Sequence, residues 1–212
     1  MNNKNTFTIV PLAVFLILFY LTDTLRLYFQ YNTGFHLDRL FTWIIPISLY
    51  IIFVLKKKPI NYLKLCPEIK RGVFWGSLIS IAHIAIYCFV RYHWNQQLTI
   101  NFNIPFQTYW NKILVAGFVE EIMFRGLVLQ NLNKVFSFKT SNIASATLFL
   151  LAHVPYWYFG NQFSLPLSTI MYDFGFILAF GLLQGFLLKK TNSLWTCIIH
   201  HSVNNALALI VR

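Results

Sequence analysis

The stretch Gly117–Gly126, reading Gly-Phe-Val-Glu-Glu-Ile-Met-Phe-Arg-Gly, constrains the fold more than any other part of the chain. It sets adjacent carboxylates, Glu120 and Glu121, inside an apolar run and follows them with Arg125. A charge near the centre of a bilayer costs roughly 2.5–3.5 kcal/mol on insertion scales, so side chains of this kind must face protein or water. On a helix, Glu121 and Arg125 lie four residues apart on one face and can pair. Glu120 sits about 100° further round and has no partner within its own helix. Its partner must come from another segment.

The bilayer enters because only 11% of the residues are charged and 57% are hydrophobic. A soluble domain carries about 25% charged residues. The expected fold class is therefore all-α, a polytopic transmembrane helix bundle. A net charge of +11 could suggest nucleic acid, but the basic residues fall in short loops between apolar runs and form no face interleaved with aromatics. They read as topology signals, and the expected partner is the lipid bilayer, with no nucleic acid. Cys66, Cys88 and Cys197 are odd in number and lack CxxC spacing, which argues against a disulfide framework and a thiolate zinc site. With no linker, tail or signal-cleavage pattern visible, residues 1–212 read as one integral membrane domain whose first span is uncleaved.

About seven spans are expected, near residues 7–21, 40–55, 73–90, 106–132, 141–159, 168–188 and 193–211. Residues 22–39 read as a mixed connection with a short interfacial helix. The stripe Gly72-xxx-Gly76-xxx-Ser80 allows close helix approach. Lys4, Lys56–Lys58, Lys64, Lys70, Arg71, Lys134, Lys139, Lys189 and Lys190 fall on one side of seven spans. Arg26, Arg39, Arg91, Lys112 and Arg212 fall towards the other. That bias predicts a multi-pass cell-membrane protein with a cytoplasmic N-terminus.

Polar residues inside the other spans are candidate partners for Glu120. The fifth span contains Phe149-Leu-Leu-Ala-His153, and the seventh contains His200-His201-Ser202-Val203-Asn204-Asn205. Two His/Asn pairs interleave there at four-residue spacing, His200 with Asn204 and His201 with Asn205. Polar glue between helices explains any one of these residues; it explains the whole constellation poorly. A carboxylate and an imidazole can together bind and deprotonate a water. A second imidazole and a carboxamide can donate hydrogen bonds to the oxyanion formed when water attacks an amide. His83 reads as packing or lumen-facing, and Asp173 as a carboxylate favoured by a helix start.

Glu120-Glu121-xxx-Arg125, Phe149-xxx-His153 and His201-xxx-Asn205 resemble the motifs of the CPBP family, the CAAX-protease and bacteriocin-processing (Abi) intramembrane proteases. The resemblance covers residues 109–212 and implies an intramembrane endopeptidase acting on a membrane-associated peptide or protein, without a cofactor. It implies that Glu120 and His153 activate a water, that His201 and Asn205 form the oxyanion hole, and that Glu121 and Arg125 support them. The lead-in Ser193-Leu194-Trp195 is similar to the family's spacing before its His, which selects His201/Asn205 over His200/Asn204. Two alternatives stay open: a zinc protease with Glu120, His153 and His201 as ligands, and a bacteriocin self-immunity protein that acts by binding.

Overall fold

The carboxylate-bearing helix occupies the middle of the computed structural model, which describes residues 3–34, 38–66 and 68–211. The elements in order are α1 (Asn3–Thr33), α2 (Arg39–Val54, its last turn π-helical), the short α3 (Pro59–Tyr62) and α4 (Ile69–Asn95). They continue with α5 (106–132), α6 (Phe138–Leu151), α7 (Val154–Phe159), α8 (Leu167–Thr191) and α9 (Leu194–Ile210). No strand occurs among the described residues. The molecule is an all-α membrane helix bundle.

From Val115 to Leu129, every residue of α5 is buried except half-buried Phe118. A helix buried all round must meet protein on every face, so its charges cannot be left to solvent. Helix α9 packs on α5 and along α4; α8 packs on α6, and α2 packs on α5 as well. The glycine stripe of α4 is spent on this packing. A Cβ at Gly76 would lie 3.2 Å from the Thr196 backbone of α9 and 3.1 Å from Ile199. Gly117 does the same for α5, because a Cβ there would come within 3.2 Å of the Ser202 backbone. That close approach brings the His201 turn of α9 against the glutamates.

Among the described residues, three helices are long and apolar enough to cross a membrane: Ile9–Thr33, Ile69–Trp94 and Leu167–Thr191. The first departs from expectation. Residues 22–33 form no separate interfacial helix; they continue α1 through Thr33, where Tyr28 and Tyr31 meet Phe159 of α7 with ring centroids 6.2 and 6.0 Å apart. The expected fifth span is broken. Pro155 lacks an N–H and its ring crowds the carbonyl four residues back, so α6 stops at Leu151 and α7 restarts at Val154. His153 stands at that break. Asp173 is the seventh residue of α8, past the first turn, so the helix-start account of it does not apply.

The basic loops gather at one end. Lys64 Nζ donates to Asn192 Oδ1 at 2.6 Å, Arg71 to the Lys190 carbonyl at 3.2 Å, and Lys134 Nζ to the Tyr62 hydroxyl at 3.1 Å. Arg212 lies outside the described residues.

Candidate active site

The acidic pair sits on a short α-helical segment, Ala116–Glu121, between two π-helical stretches, Tyr109–Val115 and Ile122–Leu129. Such π-turns shift the angular register of the residues on either side, and they recur at functional sites. Across the second one, Arg125 Nη1 donates to Glu121 Oε1 at 3.1 Å. Arg125 is held further by the Gly181 carbonyl of α8 at 3.1 Å and by the Phe149 ring, 4.4 Å below its guanidinium. Both partners of this ion pair are buried, and Glu121 Oε2 has no hydrogen-bond partner among the described residues.

Helix α9 supplies the next member. His201 Nδ1 lies 2.7 Å from Glu121 Oε1, the distance of a charge-assisted hydrogen bond, which places a proton on Nδ1. His201 Nε2 then faces Glu120 Oε2 at 3.7 Å. That gap is too wide for a direct bond, but a water beside it can reach both atoms at about 2.8 Å. Phe180 and Phe149 pack on the imidazole with ring centroids 5.0 and 5.9 Å away and fix its plane.

Of the interleaved pairs, His201 is therefore the imidazole that meets the glutamates. His200 turns the other way, 3.1 Å from His83 of α4 and 3.2 Å from Gln184 of α8, in a buried interhelical network. Asn205 lies one turn beyond His201 and donates from Nδ2 to the Lys112 carbonyl of α5 at 3.0 Å, tying α9 to α5. His153 lies within electrostatic reach of Glu120, Arg39 and His201. Its Nδ1 is 2.8 Å from the Phe149 carbonyl, which makes Nδ1 the donor and leaves Nε2 with a lone pair.

The partner that Glu120 lacks on its own helix is Arg39, whose Nη2 lies 2.7 Å from Glu120 Oε1. Sequence reasoning placed Arg39 on the far flank as a topology signal and missed this contact. A signal was present: Asp38-Arg39 opens an apolar run, and a free carboxylate needed a cation. Each buried carboxylate thus has a guanidinium of its own, half-buried Arg39 for Glu120 and buried Arg125 for Glu121.

Among the described residues, no group of three or more His, Cys, Asp and Glu side chains is disposed to hold a metal ion. Within Glu120, His153 and His201, one carboxylate oxygen and both Nδ1 atoms already have protein partners. Beside the site, a largely apolar groove of about 320 Å³ runs between α1, α2, α5 and the α6–α7 break. Trp43, Phe124, Ala152 and Pro155 are among the residues that line it.

The Glu121–Arg125 pair is dry, so removing one partner strands the other charge. Such losses cost about 3–5 kcal/mol. Glu121→Gln and Arg125→Ala are each expected to lower the melting temperature in detergent sharply, measured by tryptophan fluorescence. Wild-type melting of both variants would remove the structural role.

A family model described as Type II CAAX prenyl endopeptidase Rce1-like matches residues 102–207, half of the 212. No curated protein and no solved structure matches. The matched stretch holds Glu120, Glu121, Arg125, His153, His201 and Asn205, whereas Arg39 lies before it. With three CPBP motifs in order and a membrane helix bundle around them, the chain belongs to the Rce1-like family of type II CAAX prenyl endopeptidases, at family level a membrane-embedded protease.

Proposed function

We propose that the chain hydrolyses a peptide bond of a membrane-associated substrate with a water activated by Glu120 and His153. The observation that carries this reading is the arrangement at Glu120. Arg39 anchors one carboxylate oxygen, and the other, Oε2, stands 3.7 Å from His201 Nε2, which leaves room for a water against Oε2 with the oxyanion-hole imidazole alongside. His153 offers a free Nε2 from the helix break within electrostatic reach of Glu120.

In the proposed reaction, Glu120 Oε2 takes a proton from the water, and the water oxygen bonds to the carbonyl carbon. His153 Nε2 accepts a hydrogen bond from the same water and orients it. The carbonyl π electrons move to oxygen, and that oxyanion is stabilised by Asn205 and His201. To donate from Nε2, His201 carries protons on both nitrogens, with Glu121 as the partner of Nδ1. The intermediate collapses, the C–N bond breaks, and the leaving amine takes the proton held by Glu120. Nothing is joined covalently to the protein.

The family's substrate class, a prenylated CAAX peptide, suits the apolar groove beside the site, whose roughly 320 Å³ is enough for a small apolar group. About seven spans carry this chemistry in one domain over residues 1–212, with the basic end and the N-terminus cytoplasmic in the cell membrane. The clustering of Lys64, Arg71, Lys134 and Lys190 at one end supports that orientation.

Cleavage of an internally quenched farnesylated CAAX peptide by purified variants tests the mechanism. Glu120→Gln keeps the shape and removes the base, with an expected loss of about 10²–10⁴-fold. Asn205→Ala is expected to lose about 10²–10³-fold. His200→Ala, outside the glutamate cluster, should be far milder, and a chelator should leave the wild type unaffected. Full activity in Glu120→Gln would end the role of Glu120 as base, and absence of cleavage by the wild type would favour a binding role such as immunity. Loss of activity to chelator, restored by zinc, would favour the metalloprotease reading. For orientation, reporters fused after Lys58 and Lys190 should read as cytoplasmic, and after Val90 as external. An external signal after Lys58 would reverse the assignment.

A further inference from the structure

We propose that Arg39 is the positioning residue of Glu120, dividing the work of the carboxylate by holding Oε1 so that Oε2 is left to act as the base. The proposal rests on the reading of Glu120 as general base, but its evidence is separate and comes from the half of the chain that the family model does not match.

The geometry is specific. Arg39 Nη2 binds Oε1 at 2.7 Å, while His201 Nε2 stands off Oε2 at 3.7 Å. A carboxylate rotates freely about its terminal torsion unless something pins one oxygen. Arg39 is the side chain found within hydrogen-bond distance of either Glu120 oxygen among the described residues. Without it, the water-facing oxygen would have no fixed direction.

Arg39 is itself held in place. Its guanidinium lies 4.4 Å from the Trp43 ring centroid, one turn along α2. Trp43 is buried, and its indole N–H donates to Asp23 Oδ1 of α1 at 3.0 Å. Asp23 in turn pairs with Arg26 at 2.7 Å. A chain of contacts therefore runs from α1 through Asp23 and Trp43 to Arg39 and ends on Glu120. Arg39 is also the first residue of α2, behind the N-cap Asp38. The start of a helix is the unfavourable end for a cation, so helix stability does not account for an arginine there. Ion-pairing with Glu120 does. Its buried Nε has no hydrogen-bond partner among the described residues.

The test uses the full chain in detergent with the farnesylated CAAX peptide, and records kcat, KM and melting temperature together. Arg39→Met should lower kcat by about 10²-fold, the order of loss that a small misplacement of a reacting group brings. KM should change little. Arg39→Lys, which keeps a cation, should recover part of the loss. Guanidinium ion at millimolar concentration should restore activity to Arg39→Ala but none to Glu120→Gln. A merely structural role would not give that rescue. Wild-type kcat in Arg39→Met, with Glu120→Gln inactive, would overturn this proposal alone. So would a loss that neither lysine nor guanidinium relieves. An active Glu120→Gln would overturn the reading on which it rests as well.

Discussion

Two adjacent carboxylates buried in one helix set the terms for the rest of this structure. Neighbouring positions on a helix point about 100° apart, so the two carboxylates draw their closest partners from different elements. Glu121 is answered from within α5 by Arg125 and from α9 by His201; Glu120 is answered from α2 by Arg39. The contacts from His201 and Arg39 fasten α9 and α2 to α5. The bundle is thus fastened by the same ionic groups that line its candidate active site.

Other features follow from that requirement. The glycines of α4 and α5 let α9 approach closely enough for His201 to reach Glu121. The Pro155 break frees His153 from a continuous helix and puts it near the cluster. The long α1 reaches Trp43, and through it Arg39. Breaking a buried ion pair costs more than a surface one because no water replaces the lost partner. These contacts therefore bear on stability and on geometry together.

The parts of this site that follow the helical period were legible in the sequence. The pairing of Glu121 with Arg125 across four residues needs no tertiary knowledge, and neither does the interleaving of the His/Asn pairs. Which pair faces the glutamates is a question of how α9 is rotated; the helical period cannot answer it, and the choice of His201/Asn205 came from the family resemblance alone. Packing answers it by giving His200 to His83 and Gln184. Arg39 was missed for a different reason. It is 81 residues from Glu120, and a cation at the flank of an apolar run has an ordinary explanation as a topology signal. The break at His153 had a visible marker in Pro155, which an apolar run of span length concealed. The π-turns around the acidic pair leave no mark on the hydrophobic pattern. For the same reason the overall class, an all-α membrane bundle, was the easiest part to read, since bulk composition alone carries it.

The central claim is that Glu120 acts on water and never on the peptide itself. The most direct check is a single turnover of the farnesylated CAAX peptide in the presence of hydroxylamine, with products and protein weighed by mass spectrometry. Direct attack by water yields only the free carboxylic acid and an unmodified chain. A hydroxamate product, or an acyl group on Glu120 or any other side chain, would contradict the account.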